Sequence, residues 1–260
     1  MPEGLICLLV MFGASLAGGI SGFGFTLLAL TAFSFVFNIK VVVAFLSIHT
    51  LVHNIIQVVQ LRQHISPRRV LPLILGGVLG VPGGVLFLKH VDAYWIEKLL
   101  GLVVLLVVVR SVWQGRVQHP QELGAEAAGD VAAGHGVEKS SPLRTVRGVL
   151  FGVSAGSLMG AFFSGCPLAI VYSVDEGGTK YAIKATLQSF FLFSSAYGVT
   201  LYALTGLLTG PVFWTSVIFI PVTVVGTILG VLIFEKISSL VFYRLVMIFL
   251  TIAGLSLLLR

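Results

Sequence analysis

His49 and His53 stand four residues apart in the stretch SIHTLVHNIIQVVQL, with Asn54 and Gln57 close behind. On a helix, positions i and i+4 share a face, so the two imidazoles point the same way and the two amides lie near them. Almost every neighbour is apolar. Polar side chains in such surroundings are rare and usually face a partner or a water-filled cavity. An imidazole there can hold an anion or carry a coupled proton. A metal site would need a third ligand, and no carboxylate lies nearby, so no metal is expected. The plainer alternative is a hydrogen bond between helices.

A second cluster is GAFFSGCPLAIVYSVDEGG, residues 160–178, where Gly160, Ser164, Gly165, Cys166 and Pro167 crowd into one apolar stretch. In a water-exposed helix interior Gly costs about 1 kcal/mol and Pro about 3 kcal/mol relative to Ala. Their concentration predicts a broken helix. GGISGFGF, residues 18–25, is a matching break with Gly18, Gly22 and Gly24, followed by Thr26. The exposed N–H groups at the start of a half-helix make a positive site for an anion. Pro167 suits the first turn of a returning helix, which leaves Cys166 at its cap. The glycines have a second use, close packing of helices. Ser21, Thr26, Ser157 and Ser164 flank the breaks, and their hydroxyls can donate to an oxyanion or back to a helix carbonyl. Cys166 is either a soft, redox-sensitive contact or a small filler. Lys40, Lys180 and Lys184 read as anchors of helix ends, and Gly148, near the membrane surface, as a position that tolerates a side chain.

These residues need long apolar elements to position them, and the composition supplies little else. Of 260 residues 57% are hydrophobic and 10% charged, with a mean hydropathy of +1.05. Soluble chains carry roughly 25% charged residues. Apolar blocks at about 4–37, 41–61, 70–88, 95–113, 145–174, 181–205, 211–234 and 240–259 are each long enough for a membrane span. They do not alternate as barrel strands do. The expectation is an all-α polytopic membrane protein, multi-pass, with the lipid bilayer as a partner. Met-Pro-Glu lacks the basic start of a secretory signal, so residues 4–18 read as mature chain. Two cysteines are too few for a disulfide framework. The net charge of +6 reports topology rather than nucleic-acid binding.

The chain falls into two halves, residues 1–113 and 144–260, joined by a Gly-, Ala- and charge-rich linker at 114–143. GGISGFGFTLLAL aligns with GSLMGAFFSGCPL, setting Gly18 and Gly22 on Gly156 and Gly160. GVPGGVLFLKHV aligns with GTILGVLIFEKI, setting Gly80 and Gly84 on Gly226 and Gly230. Gln188 and Ser189 then fall near the place of His49. Such duplication is a common build of secondary transporters. If 4–37 and 145–174 are each a hairpin that enters and leaves on one side, twelve of the sixteen Lys and Arg share a side with the linker. The positive-inside rule puts that side in the cytoplasm, puts the charge-free loop at 205–211 outside, and makes the two repeats inverted. Each repeat is then a Gly-rich broken hairpin plus three transmembrane helices, and the two breaks meet near the midplane.

GGISGFGFTLLAL, GSLMGAFFSGCPLAIVY and IKATLQSFFLFSSAYGVTLYALTGLLT (183–209) resemble the sulfite exporter TauE/SafE family of membrane transporters. Phe25 and Thr26 stand where that family often has Gly, and Cys166 where Gly or Pro is common. The resemblance implies export of sulfite or a small organosulfonate, a small anionic substrate, across the inner, cytoplasmic membrane. No cofactor is expected, and a homodimer is the expected assembly. Gly22, Gly24, Thr26, His49, Gly160, Ser164, Gly165, Cys166, Gln188 and Ser189 are the candidate substrate contacts. Other small anions (a carboxylate, sulfate, thiosulfate) are the alternative cargo. An intramembrane protease would need a GxSG nucleophile; GAS at 13–15 lacks the final Gly, and the duplication gives no reason for a single nucleophile. No nucleotide-binding signature is present.

Overall fold

The computed structural model describes residues 2–21, 25–92, 142–163 and 180–233, with scattered positions among 94–109, 169–173 and 251–255. Among the described residues the chain is helical throughout and has no strand. The helices are α1 (Pro2–Ser21), α2 (Phe25–Ser34), α3 (Ile39–Leu61), α4 (Pro67–His90), α5 (Pro142–Phe162), α6 (Lys180–Thr205) and α7 (Gly210–Ile233). Asn38 caps α3, its Oδ1 accepting from the Lys40 N–H at 2.9 Å. Pro67 opens α4, where its missing N–H leaves nothing unpaired. Gly206, at φ 77°, ends α6 in the left-handed conformation that glycine adopts without strain. The helices α3 to α7 supply five stretches long and apolar enough to cross a membrane. Leu71, Leu75 and Leu79 on α4, and Trp214, Ile218 and Val225 on α7, are exposed. This is a polytopic membrane protein, and such stripes suit a lipid-facing surface.

Both broken segments fold back on themselves. A Cβ built on Gly18 would lie 3.0 Å from Phe25 Cα. In an unbroken helix seven residues would separate them by about 10.5 Å along the axis. In the second half a Cβ on Gly148 would lie 2.9 Å from the Tyr172 hydroxyl, and the rings of Phe151 and Tyr172 sit 6.0 Å apart. A continuous helix would put positions 148 and 172 about 36 Å apart. The expected breaks are therefore present. The arms of the first hairpin are unequal: α1 is twenty residues long and α2 ten. Gly148 also corrects an expectation. Far from open, it is wedged between Pro72 and Tyr172, because the returning chain passes directly over it.

Phe163 ends α5 at φ 48°, an uncommon conformation for an aromatic residue. Its N–H still donates to the Met159 carbonyl at 2.9 Å. Its ring lies over the bare backbone of Gly198 and meets Tyr202 edge-on, with centroids 5.0 Å apart. That burial offsets the backbone strain.

The two halves are laced together by exchange. α1 packs along α7, and α5 along α4, so the first helix of each half lies against the glycine-lined helix of the other. A Cβ on Gly226 would meet the Phe12 carbonyl at 3.0 Å, and one on Gly80 would meet the Val153 carbonyl. Gly230 faces the Leu16 carbonyl and Gly19, whereas Gly84 faces the Ser157 carbonyl and Ala161. These contacts keep the pairing of Gly80 with Gly226 and of Gly84 with Gly230. They move the first helices by three residues, so that Gly19 rather than Gly22 corresponds to Gly160. Glycine-rich helices offer registers one turn apart that look alike in sequence, and backbone contact selects one.

α3 and α6 cross at the centre. Asn54 donates to Ser195 there at 3.2 Å, while the ring of His64 stacks on Tyr181, 5.1 Å away. The end of α3 thus meets the start of α6, and the two run in opposite directions.

Candidate functional site

The polar face of α3 is wholly internal: His49, Thr50, His53, Asn54 and Gln57 are all buried. All five make contact with another element. His49 Nδ1 lies 2.9 Å from the Thr223 hydroxyl and His53 Nδ1 lies 3.0 Å from the Thr227 hydroxyl, both on α7. Asn54 reaches α6. Gln57 Nε2 donates to the carbonyls of Gly18 and Gly19 at 3.2 and 3.4 Å. Thr50 gives its proton to the Leu46 carbonyl, so Thr26 is the donor in the 2.9 Å contact between the two threonine hydroxyls.

The helix breaks are stitched by the same kind of contact. Gly18 and Gly19 sit in the last turn of α1, whose carbonyls have no partner within the helix. Gln57 satisfies them. At the end of α5 the Tyr202 hydroxyl donates to the Gly160 carbonyl at 2.7 Å. Each break is thus closed by a polar side chain from the later helix of its own half, and irregular backbone survives in a membrane only where protein satisfies it in this way.

Several polar atoms on α3 and α6 are left over. His49 Nε2, His53 Nε2, Gln57 Oε1, Ser189 Oγ and Ser194 Oγ are buried with no hydrogen-bond partner among the described residues. The two imidazoles are held in place. His49 packs on Phe45 with centroids 4.5 Å apart, and His53 stacks on Phe25 at 5.3 Å and 20°. His53 also borders the first break, since a Cβ on Gly18 would lie 2.9 Å from its Cε1. A buried polar atom without a partner costs about 1–3 kcal/mol, so each of these requires an explanation.

The sequence candidates divide by place. His49 and Thr26 belong to this core, and buried Gln188 and half-buried Ser189 lie on α6. The three-residue shift set by the glycines gives the place of His53 to Ser194 and that of His49 to Phe190, one residue beyond Ser189. Gly160 lies against the backbone of Val81, the close-packing use of a glycine. Ser157 donates back to the Val153 carbonyl at 3.0 Å. Gly22, Gly24, Ser164, Gly165 and Cys166, with most of the 114–143 linker, lie outside the described residues. Lys184 is half-buried on α6. Thr223, Thr227, Ser194 and Tyr202 were not singled out from the sequence. The signal for the two threonines was there: they repeat at i and i+4 in an apolar helix, the same period as the histidines they meet.

No curated protein and no solved structure matches the chain. The family model for Sulfite exporter TauE/SafE matches residues 7–257, spanning both halves and the linker. With its broken hairpins, its exchanged glycine-lined helices and a polar core between the halves, the chain belongs to the sulfite exporter TauE/SafE family of membrane transporters.

Proposed function

We propose that the protein is a secondary transporter that exports sulfite or a small organosulfonate across the inner cell membrane, binding it in the core between α3, α6 and α7. One observation carries the reading: two buried, aromatic-braced imidazoles one turn apart on α3 each keep an Nε2 without a partner among the described residues, and His53 borders the first helix break. Thr26, which meets Thr50, and Gln188 and Ser189 on α6 are the further proposed contacts. Gly22, Gly24, Ser164, Gly165 and Cys166 complete the site with backbone N–H groups and a thiol from the two breaks. Gly160 supports the site by packing. Expulsion of a monoanion from a negative-inside cell is favoured by about 2.3 kcal/mol per 100 mV, so export needs no other coupling.

Residues 1–113 and 144–260 form two inverted repeats around this site, with a cytoplasmic linker at 114–143. The antiparallel crossing of α3 and α6 supports inversion, as does the stacking of Tyr181 on His64. That contact gathers Arg62, Arg68, Arg69 and Lys184 at one end of the bundle, while Lys40 reaches the Lys89 carbonyl at 3.2 Å.

Reconstituted vesicles loaded with sodium sulfite test the proposal. The wild-type protein should release sulfite under a membrane potential, and His49→Ala and His53→Ala should each abolish release while purifying as folded protein. Normal release by both variants would remove the histidines from the site. Wild-type vesicles that release thiosulfate or acetate but no sulfite would replace the cargo.

A further inference from the structure

Buried serine and threonine hydroxyls in this chain mostly donate to a carbonyl of their own helix: Thr31 to Leu27, Thr50 to Leu46, Thr186 to Ala182 and Ser216 to Val212. That is ordinary helix behaviour. Thr223 and Thr227 depart from it. Both are fully buried, and the hydroxyl of each meets a histidine Nδ1 instead. A hydroxyl carries one proton, and the Nδ1 lone pair is the acceptor in front of it. If the ring donated instead, the threonine proton would be buried with nothing to accept it, a state that costs more than the alternative. A neutral imidazole accepts at one nitrogen and carries its proton on the other. The proton of each ring therefore belongs on Nε2, the atom left without a partner among the described residues.

We propose that Thr223 and Thr227 are positioning residues that hold His49 and His53 as a pair of Nε2–H donors, and that this pair selects a small oxyanion presenting unprotonated oxygens. The proposal rests on the substrate placement given above. Successive turns set the two rings about 6 Å apart along α3, close enough for one small anion to meet both. Because both nitrogens are donors, a ligand oxygen that still carries its proton finds no acceptor there and is disfavoured. Phe25 and Phe45 keep the rings from turning over, so the threonines set the tautomer and the aromatics set the direction.

The test uses the full-length protein labelled with 15N-histidine in lipid nanodiscs, with His49→Gln and His53→Gln variants to assign the two rings. Without ligand, both rings should show a protonated Nε2 and an unprotonated Nδ1, and sodium sulfite should shift Nε2 most. Thr223→Val and Thr227→Val should each turn one ring into a tautomer mixture and weaken sulfite binding by about threefold, because only the Nε2–H fraction is competent. Serine at either position should restore tautomer and affinity together. Rings protonated on Nδ1 in the wild type would overturn the proposal even if no valine variant folds. Valine variants with unmixed tautomers would overturn it as well. Rings with the expected tautomers that ignore sulfite would overturn the substrate placement, and with it the ligand half of this proposal, while the donor assignment stands.

Discussion

Thr26, His49 and His53 show how a polar residue can be both a structural tie and a contact surface. Each has one polar function occupied by another helix and the rest directed into the core. Gly165 and Cys166 are expected to complete that surface from the second break. Gly165→Leu should therefore abolish sulfite binding in a titration of purified protein, and bound sulfite should slow alkylation of Cys166 by N-ethylmaleimide. Retention of wild-type affinity in the leucine variant would exclude Gly165 from the site. Gly148 does not serve as the neutral control, because Pro72 and Tyr172 already fill the space beside it. Gly13 does, since a Cβ there meets nothing within 4 Å; Gly13→Ala should bind sulfite as the wild type does.

At the scale of elements, two kinds of contact hold the broken hairpins. Backbone packing is the first. Gly80 and Gly84 let α4 approach α5 so closely that a methyl group at either would enter the carbonyl shell of Val153 or Ser157. Gly84→Ala should lower the thermal unfolding midpoint in detergent, at a cost of about 1–3 kcal/mol, whereas Gly83→Ala on the exposed side should not. Capping of the break is the second. Tyr202→Phe removes the donor to the Gly160 carbonyl and strands a buried acceptor, worth about 1–3 kcal/mol. The loss should show as faster hydrogen exchange at the end of α5 with little change in α4. Uniform destabilisation of the whole bundle would mean that Tyr202 serves general packing rather than the break.

For the whole molecule, the exchange of helices between halves means that neither half has a complete core. α1 needs α7, and α5 needs α4. The proposed inverted arrangement predicts sidedness. A cysteine at Gly210 should react with an impermeant thiol reagent in intact cells, and one at Gly129 only after permeabilisation. Equal labelling, or the reverse, would sink the topology and with it the assignment of the linker to the cytoplasm.

By itself the sequence determined the membrane class, the presence of a break in each first segment and the polar face of α3. These follow from local quantities: apolar length, Gly and Pro concentration, and the i, i+4 spacing of His49 and His53. It also carried the family resemblance, because the motifs run nearly the length of the chain. The tertiary structure decided the rest. The offset between repeats came from which carbonyl each glycine touches, and that moved the partner of Gly160 from Gly22 to Gly19. Only the folded chain paired the histidines with Thr223 and Thr227, 174 positions away in each case. It also revealed Gly148 as enclosed and Tyr202 as a cap. Each of these depends on which helices become neighbours. Neighbour choice is a global outcome of burying every polar backbone group and filling every gap at once, and no local window of the sequence contains it.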